Sequence, residues 1–260
     1  MGETFKTIQF SLNEHYAHLS FNRPDSLNAL NEEMLREFGK ALTIIETAKV
    51  PVLFLSGEGR AFSSGGDIKS MLQLNDEEAF HNVMKMIEKV SHTLYKLPAI
   101  TVSLIHGASA GLGLSLALAS DYVLAQKGSK IAMNFIKIGL IPDGGGHVYL
   151  EKRLGEFKAK QLIWEGRTYS AEEAISIGLI DDVFTESIEE KLEKEKDRLL
   201  KMPLKAMIAS KKIFTTMNEQ KLKYCLELEE KYQEIMRKSK DHQEGIRAFL
   251  EKRAPVFQGK

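Results

Sequence analysis

Neither sign of charge is in excess, because 36 acidic residues stand against 36 basic ones in a chain of 260. No net field therefore draws nucleic acid or an anionic membrane surface to the protein. Cysteine is nearly absent as well. Cys225 stands alone, which excludes a disulfide framework within the chain and fits a reducing compartment. Its place at core spacing in a C-terminal helix marks it as packing material rather than a nucleophile. No apolar run approaches the roughly 20 residues of a membrane span, and no charged-then-apolar leader opens the sequence. The expectation is a soluble, cytoplasmic protein. Its length fits one large α/β domain, or one domain with a helical appendage.

What is present is organised around Ala99–Asp121, AITVSLIHGASAGLGLSLALASD. The β-branched run Ile100–Ile105 reads as a strand buried on both faces. Leu112, Leu116 and Ala119 then recur at helical spacing, and His106–Gly111 between them is a sharp turn that opens the helix. A helix beginning there leaves backbone N–H groups unpaired, and such groups suit a ligand oxygen that gains negative charge. A second step of this kind is Ala61–Met71, AFSSGGDIKSM, with a glycine turn at Ser63–Gly66 and a helical turn from Asp67 to Leu72.

Around these two steps the periodicity predicts the remaining elements. Phe5–Phe10 and Tyr16–Phe21 flank Asn13-Glu14 as a hairpin. Asn31 caps a helix that presents Met34, Leu35, Phe38, Leu42 and Ile45 on one face. Val50–Leu55 is a strand, and a long helix carries Phe80, Met84, Ile87, Val90 and Leu94. Pro142-Asp143-Gly144 is a turn, Val148–Leu154 a helix, Ala171–Ile177 another, and Leu179–Phe184 the last strand. Beyond Ser187 only helices follow. One carries Leu204, Met207, Ile208, Phe214 and Met217, a second Leu222, Cys225, Leu226, Tyr232 and Ile235, and a third Ile246, Phe249 and Leu250.

Gly107-Ala108-Ser109-Ala110-Gly111 also satisfies G-x-S-x-G, the nucleophile elbow of serine hydrolases. That chemistry needs later strands to carry an acid and then a histidine under the serine. His147 comes too early for that order and His242 lies in the helical tail, which leaves Ser109 a small packing residue. A bare donor turn and simple close packing both remain compatible with the stretch.

Five separated segments resemble the crotonase, or enoyl-CoA hydratase/isomerase, superfamily: Asn22–Leu30, Phe62–Met71, His106–Asp121, Ile138–Gly146 and Phe249–Lys260. Together they run nearly the length of the chain, in order. The resemblance implies an α/β spiral of ββα units over residues 1–186. It also implies a C-terminal helical region, 187–260, that assembles homotrimers or dimers of trimers. It implies an acyl-CoA or enoyl-CoA thioester held with its carbonyl oxygen between the amides of Gly66 and Leu112. No metal or separate cofactor is needed, since CoA is part of the substrate. Ser64, Asp67 and Ile68 match the loop lining the CoA channel, Phe135 is a further substrate-binding candidate, and Phe257 and Lys260 match terminal residues near the nucleotide. Asp25 stands where many members place a lysine.

The acid–base positions depart from the hydratase pattern. Ser115 and Phe135 occupy the two positions at which hydratases carry glutamates. Asp143 instead matches the aspartate of the family's dienoyl and ring-epoxide isomerases, and its apolar neighbours favour a retained proton. An isomerase that shifts a double bond or rearranges a ring in a CoA thioester, with Asp143 as acid and base, is therefore the leading expectation. A hydratase with displaced acid–base groups, a non-catalytic thioester binder and a serine hydrolase acting through Ser109 are the alternatives.

Overall fold

A computed structural model describes residues 4–72 and 76–260; residues 1–3 and 73–75, within the expected 1–186 segment, lie outside the described set. The chain opens with a hairpin, β1 (Ile8–Leu12) against β2 (Ala17–Phe21), and continues into α1 (Glu32–Ala48) and β3 (Val52–Gly57). Asn31 caps α1 by accepting from the Met34 amide at 3.0 Å. Helices α2 (Ile68–Leu72) and α3 (Glu77–Lys96) lead to β4 (Ile100–Ile105), β5 (Ala108–Ala110), α4 (Leu112–Leu118), β6 (Tyr122–Gln126) and β7 (Lys130–Ala132). Next come α5 (Gly146–Leu154), α6 (Glu156–Glu165), β8 (Thr168–Ser170), α7 (Ala171–Ser176) and β9 (Asp182–Phe184). The chain closes with α8 (Ile188–Leu200), α9 (Leu204–Arg237) and α10 (Lys240–Glu251).

The larger sheet runs β1-β2-β3-β4-β6-β9 and is parallel from β2 onward, with Leu19 opposite Leu55 and Phe54 opposite Val102. Alternation along the strands assigns their two faces. Leu53 and Leu55 pack inward with α1 and α3, whereas Val52 and Phe54 meet Leu192 and Leu199 of α8 on the other face. Because both faces are covered, the central strands lack a polar side. That is why Ile100–Ile105 is buried at all six positions. The boundary expected at 186/187 falls between β9 and α8.

A smaller sheet, β5-β7-β8, packs beside it. The turn expected to run straight from His106 into a helix contains β5, which pairs in parallel with β7 and bridges Ser63 through Ser109. Several elements, α6 and β8 among them, were not expected. Glycines at positive φ, Gly155 and Gly166, bound α6.

The two helices expected around Phe214 and Leu222 are a single helix of 34 residues. Its apolar stripe shifts because its N-terminal turns cover the large sheet while later turns meet other helices. Lys211 fixes the first part, bonding the Ala99 carbonyl and Asp121 at 2.8 and 2.7 Å. Met217 is left exposed.

Candidate active site

The two donor steps come together. Phe62 and Ser63 donate to the carbonyls of His106 and Ala108, and Ala110 donates back to Ser63 at 3.0 Å. The following residues are tied to the segment before α1: Leu30 donates to the Gly65 carbonyl and Asp67 to the Leu30 carbonyl. Gly65 has φ +99°, and a Cβ there would lie 2.8 Å from the Ala110 carbonyl oxygen and 3.5 Å from the Leu112 nitrogen. Only glycine allows so close an approach. Among the described residues, neither the Gly66 nor the Leu112 amide donates a hydrogen bond. Both therefore remain available to an oxygen bound between the loops.

A cleft of about 1330 Å³ opens here, walled by both steps, by the segment around Phe135, and by α10 with the chain after it. Ser64, Gly66, Asp67 and Ile68 line it from one side; Leu112, Phe135 and Asp143 line it from another. Phe257 and Asp25 also reach it. Lys260 does not line it. The terminal segment folds onto the start of α10 instead, where Asp241 donates to the Lys260 carbonyl and accepts from the amides of Gln258 and Gly259. Asp67 is held by Arg23 at 2.9 Å and accepts from the Ser70 amide, so it braces the loop. Phe249, expected in a helical core, is more than half exposed and faces the cleft.

Asp143 is the buried carboxyl at the cleft that lacks a counter-charge. Among the described residues its Oδ1 has no hydrogen-bond partner, and its Oδ2 accepts a long 3.4 Å bond from Gln233 Nε2. Burial first, and then the negative charge of Glu229, push this carboxyl well above the usual carboxylate range. A buried acceptor without a donor costs about 1–3 kcal/mol. A carboxyl kept in such a state is poised to hold a proton.

The turn that carries Asp143 is fixed from several directions. Ser91 of α3 donates to the Gly144 carbonyl at 2.7 Å. Glu229 of α9 accepts from the Gly145 and His147 amides at 2.7 and 3.2 Å and from His147 Nδ1 at 2.7 Å. Gly144, at φ +63°, packs so tightly that a Cβ would come within 2.6 Å of Leu112 Cδ1. The residue offering one amide is thus in contact with the turn bearing the acid.

Glu229 and Gln233 escaped sequence reasoning, although a signal existed. They continue the stripe Leu222–Leu226 at helical steps of three and then four residues, as polar residues on a buried face. Cys225 is half-buried and donates weakly to Glu229 at 3.5 Å. His147, Cys225 and Glu229 offer ligand atoms within 4.8 Å of one another. A cation there would compete with the donors already on Glu229 and face the positive end of α5.

Ser109 is fully buried, and its Oγ has no partner among the described residues. His106 Nε2 is committed to the Gly59 carbonyl, and burial lowers the imidazole pKa. His147 and His242 are bonded to Glu229 and to the Ile138 carbonyl. A serine without a base is not a nucleophile. A fluorophosphonate probe is expected to leave Ser109 unmodified by mass spectrometry; a covalent adduct lost in Ser109→Ala would contradict this.

A spiral α/β fold with two sheets and C-terminal helices, enclosing a cleft with two free amides, defines the crotonase class. Within it, the chain belongs to the enoyl-CoA hydratase/isomerase family, whose model matches residues 12–260. A Bacillus subtilis protein, YhaR, whose name places it among enoyl-CoA hydratases/isomerases, is 49% identical over 96% of this chain and 98% of its own. The Escherichia coli 1,2-epoxyphenylacetyl-CoA isomerase is 33% identical over 93% of this chain and 94% of its own. A solved enoyl-CoA hydratase from Mycobacterium avium subsp. paratuberculosis superposes with a TM-score of 0.88 at 30% identity, covering 98% of this chain and 100% of that one.

Proposed function

We propose that the protein is an isomerase of enoyl-CoA thioesters. Asp143 removes a proton from C2 of a 3-enoyl thioester and returns it to C4, shifting the double bond. Between the two transfers the thioester oxygen carries the enolate charge, and the Gly66 and Leu112 amides donate to it. The observation carrying this reading is the buried, uncountered Asp143 carboxyl at the cleft. The positions at which the resemblance puts hydratase glutamates hold Ser115 and Phe135. Ser115 is sealed in the core, its hydroxyl against the Gly111 carbonyl and Met133.

An aspartate with a raised pKa suits both halves of the reaction. Its anion is a stronger base than an exposed carboxylate, and its acid form retains the proton for return. Ser64, Asp67, Ile68 and Phe257 are proposed to border the CoA moiety, as their places on the cleft support. The position of Lys260 lends no such support. Residues 187–260 are proposed to mediate trimer formation, for which the exposed Ile213, Phe214 and Met217 of α9 are suited.

The test offers 2-enoyl-CoA and 3-enoyl-CoA of matched length separately. The expected result is interconversion of the double-bond isomers, with hydration of the 2-enoyl thioester slower by roughly two orders of magnitude or more. Rapid hydration that survives Asp143→Asn would overturn the proposal.

A further inference from the structure

The helix behind the acid has a part to play that its position explains. We propose that Gln233 and Glu229, one turn apart on α9, are positioning residues for Asp143. Gln233 aims the carboxyl and leaves Oδ1 as the oxygen that exchanges protons, while Glu229 clamps the turn that carries it.

The orientation of Gln233 follows from its partners. Its side-chain nitrogen lies 2.7 Å from the Ile141 carbonyl oxygen. A carbonyl only accepts, so this contact fixes the amide with its NH2 group toward Ile141. The same nitrogen then faces Asp143 Oδ2 at 3.4 Å. A donor directed at Oδ2 disfavours a proton there, which assigns the transferable proton to the unpartnered Oδ1. Ile141 and Asp143 flank Pro142, so one side chain grips the backbone before the acid and the acid itself.

Glu229 grips the backbone after it, and both of its oxygens are occupied. Oε2 accepts from the Gly145 amide, and Oε1 accepts from the His147 amide, from His147 Nδ1 and from Cys225 Sγ. Asp25, Lys69, Lys137, Glu165 and Arg253 line other parts of the same cleft. Glu229 and Cys225 approach from α9, and His147 and Tyr149 from α5. The Tyr149 hydroxyl lies 2.9 Å from that of Ser91 on α3, and across the cleft Arg23 is paired with Asp67. Glu229 is the charge that opposes ionisation of Asp143, and the Gln233 bond favours it. The two residues therefore pull the acid in opposite directions.

The catalytic half of this inference rests on the isomerase reading; the electrostatic half is measured without turnover. Carbon-13 NMR of protein labelled at the aspartate γ-carbons, with the Asp143 signal assigned by its loss in Asp143→Asn, reads the titration directly. Glu229→Gln is expected to move the midpoint down by about one pH unit, and Gln233→Met to move it up. With 3-hexenoyl-CoA, Gln233→Met should lower kcat roughly ten- to a hundredfold with little change in KM. The rising limb of kcat against pH should shift downward in Glu229→Gln.

Midpoints that stay within a few tenths of a unit in both variants would overturn the inference. Shifted midpoints in a protein without isomerase activity would support the electrostatic half and sink the isomerase reading together with the catalytic half. Should Glu229→Gln fail to fold, the direction of the Gln233→Met shift decides alone.

Discussion

Asp143→Asn is expected to lower kcat for 3-enoyl-CoA isomerisation roughly a thousandfold while changing acyl-CoA affinity by less than about threefold. The asparagine keeps the shape of the turn but can neither take nor return a proton. Steady-state rates, with calorimetric titration of a saturated acyl-CoA, separate the two effects. A variant that retains more than about a tenth of the rate would remove Asp143 from the chemistry.

The same substitution carries a stability signature whose sign is fixed. The folded pKa of Asp143 is raised above that of an unfolded aspartate, about 3.9. Wild-type stability is thus fully present below that value and declines as pH rises toward the folded pKa. Asparagine does not titrate. Asp143→Asn should therefore raise the melting temperature at neutral pH, and the gain should fade as pH falls to about 4. A residue that helps catalysis while weakening the fold behaves in this way.

The second large effect concerns the amide of Leu112. A side-chain substitution cannot remove a backbone donor, but replacing Leu112 by its α-hydroxy analogue, leucic acid, turns the N–H into an ester oxygen. The loss of one such donor should cost about 3–4 kcal/mol in the transition state, a hundred- to a thousandfold in kcat. KM should change little, because the ground-state carbonyl carries less charge than the enolate. The same exchange at Ala110 provides the control, since that amide is already engaged by Ser63 and lies outside the proposed donor pair. Equal losses at both positions would mean that the ester acts through folding rather than through the thioester oxygen.

Much of this architecture was legible because local chemistry and burial agreed. Asn31 before Glu32-Glu33 is a capping pattern. Ile100–Ile105 lacks a polar alternation and lies between two covered faces. The donor steps were readable because close backbone approach demands glycine at Gly65 and small residues through Ala108–Gly111. Helix α6 was hidden by Phe157 and Trp164, exposed aromatics that blur its apolar face of Ala159, Leu162 and Ile163.

The apparent break in α9 arose from reading a change of packing partner as a change of element. No glycine or proline interrupts Leu204–Arg237. Glu229 and Gln233 went unseen for a related reason. Periodicity weighs apolar residues, whereas these two polar ones are buried because the Gly145 amide and the Ile141 carbonyl need partners. The place of Lys260 depends on how the terminal residues fold back on Asp241, which no local pattern encodes.

The unbroken course of α9 joins distant parts of the molecule. Each residue of a helix advances the bearing of the next by about 100°. The directions in which Glu229 and Gln233 point therefore follow from how the rod is seated, by the Lys211–Asp121 pair beside the large sheet and, further along, by Glu219 against His92 and Lys96 of α3 and Lys221 against Glu151 of α5. On the isomerase reading, the carboxyl proposed to carry the proton takes its aim partly from anchorages remote from it along the chain. The outer side of this rod can drift in sequence, but its length between those anchors would then belong to the alignment of the proposed acid.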